Sequence, residues 1–134
     1  MFIGGFPLDG RASEEYLVNT DMSLNEAASV IYGSHALFAF DPHNQSNFIR
    51  NYVNKHKPRM YELQTQRWDA IDDRLKMCFI QTFSDGLQGD SKRKRTIDRE
   101  WMQAFKVAAK TGLKQCLICH RRLFVGRTVC PWCK

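Results

Sequence analysis

The sequence predicts an α+β chain, with a small mixed helical domain over residues 1 to 90 and a basic helix plus a cysteine-bearing module over residues 91 to 134. Three observations predict it. Apolar residues recur at helical spacing through the first part of the chain. The stretch "SDGLQGDSKRKR" then interrupts the pattern with two glycines and a run of cations. Beyond it, Cys116 and Cys119, then Cys130 and Cys133, form two C-x-x-C pairs separated by ten residues.

Residues 1 to 15 are rich in Gly, Pro and Asp and read as irregular, with "EYLV" as a short strand. The first helix follows. Ser23 caps it, Glu26 three residues on completes a capping box, and Met22 and Ala27 stand where a hydrophobic staple would be. Leu24, Ala27, Ala28 and Ile31 share its apolar face, and Gly33 fits a left-handed residue just past its end. "ALFAF" reads as a buried strand stopped by Asp41-Pro42.

A second short helix is expected from Ser46, burying Phe48, Ile49, Tyr52 and Val53 and ended by Pro58, which restricts Lys57. "RMYELQ" fits either a strand or the start of the next helix. From Arg67 the spacing of Trp68, Ile71, Leu75 and Phe79 is helical, with Asp69, Asp72, Asp73 and Arg74 outward. Cys78 lies on that apolar face and reads as a buried, inert thiol. The aromatic residues of this front part predict a core separate from the tail.

"SLNEAASVIYGSHALFAFDPH" combines a Glu-Ala helix, a Tyr-Gly stop and a Phe-x-Phe strand ending in Asp-Pro-His. Over residues 16 to 64 the chain resembles uncharacterised F-box-like fungal proteins. That resemblance implies an adaptor role and supplies no catalytic positions.

Composition limits the function classes. With 43% hydrophobic and 12% aromatic residues, the chain has enough apolar mass for a core and does not read as disordered. The net charge of +6 is unevenly spread. Residues 1 to 90 carry 8 Lys/Arg against 12 Asp/Glu, whereas residues 91 to 134 carry 12 against 2. So basic a tail draws polyanions. "MFIGGFPLDG" has no basic start and its apolar run is broken, so neither a signal peptide nor a membrane span is expected. The expected setting is intracellular, nuclear in a eukaryote and otherwise cytoplasmic, with no membrane partner.

Four chemistries compete for the cysteines. Cys116-Leu-Ile-Cys119-His120 has the spacing of covalent haem attachment, but this leaves Cys130 and Cys133 unexplained. Cys130-Pro-Trp-Cys133 resembles the dithiol of glutaredoxins, yet no helix follows to lower the first thiol's pKa. Two disulfides suit a secreted protein. Zinc uses all four cysteines, because a tetrahedral Zn²⁺ takes two sulfurs from each tight knuckle. The tail looks like a zinc ribbon. In that reading "RRLFV" and "RTV" pair as a hairpin between the knuckles, turning at Gly126, and metal supplies the folding energy that so few apolar residues cannot. His120 reads as a surface or supporting histidine.

Upstream, Thr96 is expected to cap a helix running to about Thr111, with Gly112 as its stop. On it Arg99, Lys106 and Lys110 fall on one face, opposite Ile97, Trp101, Phe105 and Ala108. Lys92, Arg93, Lys94 and Arg95 extend this positive field, and Arg121, Arg122 and Arg127 continue it onto the ribbon. Such a strip neutralises phosphates without reading bases. His35, His43 and His56 lie in separate elements, and no nucleophile elbow or phosphate loop is present, so an enzyme is not expected. The sequence therefore points to a non-enzymatic zinc protein that regulates through nucleic acid. The alternative is an adaptor for an acidic protein partner in which zinc is structural.

Overall fold

Five helices and one two-stranded antiparallel sheet make up the computed structural model, which describes residues 6–50, 58–87 and 95–133. The fold is α+β, as expected. The first element departs from the sequence reading: "EYLV" lies within helix α1, Arg11–Asn19, and is not a strand. Ser13 explains the start, since its hydroxyl both accepts from the Gly10 N–H and donates to the Gly10 carbonyl, each at 2.8 Å. One turn on, Arg11 pairs with Glu15 at 2.8 Å.

Helix α2, Leu24–Ser29, begins with the expected capping box. The Ser23 hydroxyl accepts from the Glu26 N–H, and the Glu26 carboxylate accepts from the Ser23 N–H at 3.0 Å. It runs on into a π-helical turn, Val30–Ser34, so Gly33 lies inside that turn and is not a left-handed stop.

"ALFAF" is buried as expected but forms no strand. Among the described residues no strand pairs with it, and other partners take its backbone groups. The Ala39 N–H donates to the Pro7 carbonyl at 2.9 Å, and the Asn47 side-chain amide donates to the Leu37 carbonyl at 2.6 Å. Asp41 then closes the loop, accepting from the His43 and Asn44 N–H groups and from the Ser84 hydroxyl.

Of the helix expected from Ser46, the described residues show only a 3₁₀ turn, Gln45–Asn47. Ile49 is buried, while Tyr52 and Val53 lie outside the described residues. Pro58, expected to end a helix, instead stands at the start of α3, Pro58–Ala70, where a proline loses no internal hydrogen bond. The continuous helix read from Arg67 is broken at Ile71. Asp72 caps a new helix, α4, Asp73–Phe83, by accepting from the Arg74 N–H at 2.9 Å.

The last helix, α5, Asp98–Thr111, packs on α4. Thr96 does not cap it. Its hydroxyl reaches across to the Cys78 carbonyl at 3.0 Å, and Glu100 caps instead by accepting from the Ile97 N–H. Ala104 and Ala108 of α5 are buried in the same cluster as Phe38, Phe40, Trp68, Ile71 and Leu75. Trp68 stacks on Phe40 with ring centres 4.6 Å apart, and Trp101 meets the edge of Phe79 at 5.0 Å. The core is therefore continuous from the front part of the chain into the tail helix. Of the residues expected on the packed face, Ile97 is 52% exposed and Phe105 stacks on Trp101 at the edge of the core, while the small residues Ala104 and Ala108 are buried in it.

Candidate metal centre

Gly112 ends α5 at φ 80°, a conformation that glycine adopts without strain, and turns the chain into a hairpin. Strand β1, Leu113–Gln115, pairs antiparallel with β2, Arg122–Phe124, in the register Leu113 to Phe124 and Gln115 to Arg122. The hairpin differs from the expected one. "RRLFV" supplies a strand, but its partner comes from before the first cysteine pair, and "RTV" forms none. Leu123 is buried and Phe124 packs against the core, which roots the hairpin on the helices.

The first C-x-x-C pair occupies the tip of this hairpin. The Cys116 N–H donates to the Arg121 carbonyl and the Cys116 carbonyl accepts from the His120 N–H, both at 2.9 Å. His120 closes the knuckle at φ 56°, the left-handed region in which histidine is enriched among non-glycine residues. The sequence reading treated His120 only as a side chain, so this backbone role was missed. Its position directly after a C-x-x-C pair was the available signal. Gln115 steadies the same turn, its side-chain amide donating to the His120 carbonyl at 2.9 Å.

The second pair is brought back by a turn at Val125 and Gly126, closed by the Arg127 N–H donating to the Phe124 carbonyl at 2.9 Å. The turn expected at Gly126 is present. Pro131 is buried between the two cysteines, and the Arg121 guanidinium lies 5.9 Å from the Trp132 ring centre.

The sulfurs converge. Cys116 and Cys133 approach to 3.6 Å, Cys119 and Cys130 to 3.5 Å, and all four Sγ atoms lie within 4.8 Å of one another. A disulfide would need a separation of about 2.05 Å. A tetrahedron of metal–sulfur bonds of about 2.3 Å has edges near 3.8 Å, which is close to the separations found. These four cysteines could hold one metal ion, and they fill every position of a tetrahedron.

The thiols differ electrostatically. The Cys119 and Ile118 backbone N–H groups lower the Cys116 pKa to about 6. Hydrogen bonding with Cys130 and Cys116 pushes Cys133 up to about 12. Four sulfurs so close cannot all ionise unless a cation joins them. Cys78 stands apart, half-buried on α4, and desolvation raises its pKa.

The predicted cations fall into three groups. Lys92, Arg93 and Lys94 lie outside the described residues. Arg99, Lys106 and Lys110 are exposed along one face of α5, and Arg121 and Arg122 are exposed on the ribbon. Arg95 and Arg127 are engaged: Arg95 Nε donates to the Gly86 carbonyl at 2.9 Å, and the Arg127 guanidinium binds the Asp73 carboxylate and the Ile71 carbonyl.

No protein-family model, curated protein or solved structure matches this chain, so the F-box-like resemblance of residues 16 to 64 gains no support from relatives. Among the described residues, no helix is long and apolar enough to cross a membrane.

Proposed function

We propose that this chain is a non-enzymatic zinc-binding protein and that it acts as a nucleic-acid-binding regulator. The convergence of the four sulfurs carries the zinc assignment. Four thiolates suit zinc by softness and by geometry, and such a closed set leaves no coordination position for water or substrate. The metal is then structural, and its binding energy folds the ribbon.

The nucleic-acid reading rests on charge. No Asp or Glu follows Glu100, so the ribbon presents cations alone. Arg99, Lys106 and Lys110 are exposed on α5 and have no ion-pair partner among the described residues. A row of free cations suits a phosphate backbone and carries no base specificity by itself. Titrating duplex and single-stranded oligonucleotides at two salt concentrations tests this. Affinity should fall with a slope of about −0.9 per phosphate contact on duplex DNA, and the Arg99→Glu, Lys106→Glu, Lys110→Glu variant should bind weakly with a flatter slope. Absence of binding at low salt, or equal binding by the variant, rejects the reading.

An adaptor role is the second reading, favoured by one observation. Between α4 and α5 lies a groove of about 530 Å³ floored by Met77, Cys78, Ala104 and Val107 and edged by Arg74, Arg99, Gln103 and one acid, Glu100. An apolar floor with arginines at its edge suits an acidic amphipathic segment, and binding there would survive moderate salt.

A further inference from the structure

We infer that the first knuckle is a peripheral membrane anchor, its Leu117 and Ile118 entering an anionic phospholipid surface while the neighbouring cations hold the headgroups. Leu117 is 93% exposed and Ile118 is 78% exposed, and the two are adjacent at the hairpin tip. The knuckle explains their direction, because Cys116 and Cys119 turn their sulfurs inward to the shared cluster and the residues between them face away. It does not explain their chemistry. Nothing in the fold requires aliphatic side chains at two positions that pack against nothing.

Val129 is a further exposed aliphatic residue, on the second knuckle. It is 61% exposed and precedes Cys130, whose sulfur lies 3.5 Å from that of Cys119. Around the tip stand Lys114, His120, Arg121 and Arg122, all exposed, with no acidic residue anywhere after Glu100. An aliphatic tip ringed by cations carries the two signals that together hold a protein on an anionic bilayer, apolar insertion and headgroup attraction.

Other occupants fit less well. Phosphates and bases offer little to Leu and Ile, since base stacking uses aromatic rings and arginine planes. A protein partner would need a socket shaped to a protruding tip, and this tip is small beside the roughly 800 Å² that each partner buries in a standard interface. A bilayer takes a convex tip without a preformed cavity. This contact departs from the expectation of no membrane partner, but it lies on the surface and needs no spanning helix. It shares Arg121 and Arg122 with the nucleic-acid reading but turns on the aliphatic tip of a folded knuckle, which zinc content monitors.

The experiment is co-sedimentation of the full zinc-loaded chain with vesicles of phosphatidylcholine alone and of phosphatidylcholine mixed with phosphatidylserine. The chain should sediment with the mixed vesicles and not with the neutral ones. Leu117→Asp with Ile118→Asp should lower that binding about tenfold or more while leaving zinc content unchanged, and the uncharged Leu117→Ser with Ile118→Ser should lower it without changing oligonucleotide affinity. The milder Leu117→Ser with Ile118→Ser keeps the test valid should the aspartates disturb the knuckle. Failure of the wild type to sediment with the mixed vesicles overturns the inference, as does full binding by the variants. Loss of oligonucleotide affinity by the Leu117→Ser, Ile118→Ser variant without any vesicle binding would also overturn it, assigning the tip to nucleic acid.

Discussion

Arg127 grips the chain 54 residues earlier, one guanidinium nitrogen donating both to the Asp73 carboxylate and to the backbone oxygen of Ile71. This contact ties the ribbon to the break between α3 and α4, where Asp72 ends one helical register and caps the next. The four-cysteine module is thereby fixed to the helical core by a charge as well as by Leu123 and Phe124.

Arg127→Ala should destabilise the zinc-loaded protein by about 1–2 kcal/mol. Most of that comes from the lost carbonyl bond, because Asp73 is largely exposed and its ion pair is screened. Denaturant unfolding of wild type and variant at equal zinc content measures it. Identical midpoints would mean that the contact contributes nothing to docking.

The same pair gives an acid signature. The hydrogen bond from Arg127, and then its charge, hold the Asp73 carboxyl below its ordinary value. The stabilisation is therefore fully present above the unfolded-state pKa of about 3.9 and is lost as pH falls through the lower folded value. Asp73→Asn should unfold more easily near neutral pH yet converge with wild type in acid. Parallel stability curves down to low pH would contradict this.

Asn47 should matter more than any surface charge. Fully buried, it accepts from the Ser13 N–H at 3.1 Å and donates to the Leu8 and Leu37 carbonyls at 2.9 and 2.6 Å, joining three segments distant in sequence. Asn47→Ala strands all three backbone groups and should cost about 2–4 kcal/mol. Thermal melting checks it, and a loss below that of a typical exposed substitution would show that water replaces the side chain.

Truncation at residue 90 should abolish cooperative melting. Ala104 and Ala108 complete the cluster around Trp68 and Leu75, and Trp101 covers Phe79, so removing α5 opens the core to water. Calorimetry of residues 1 to 90 alone decides it, and a sharp transition would show that the front part is self-sufficient.

What the sequence made legible was local. The Ser23 and Glu26 box, the Gly112 stop and the two cysteine pairs each depend on residues a few positions apart, and each appears where the pattern put it. What it hid depends on distant partners. Phe38 and Phe40 are as buried as strand residues, but Asn47 and Pro7 satisfy the neighbouring backbone and no ladder forms. Pro58 carries opposite meanings at a helix end and at a helix start, and composition around it does not choose between them. The partner of β2 was misread because strand-compatible residues lie on both sides of it, "LKQ" before the first knuckle and "RTV" after Gly126, and the choice follows from Gly112 turning β1 back along the hairpin. Arg127 looked like one more surface cation until the fold brought Asp73 beside it.

The most direct measurement is the metal content of the purified chain by inductively coupled plasma mass spectrometry, for wild type, Cys119→Ser and the Cys130→Ser, Cys133→Ser pair. One zinc per wild-type chain is expected, with loss of the metal and unfolding of the ribbon in both variants, since each removes ligands from the same tetrahedron. A wild type purified without zinc and unable to take it up, or a full complement of zinc in the Cys130→Ser, Cys133→Ser variant, would contradict the four-cysteine site.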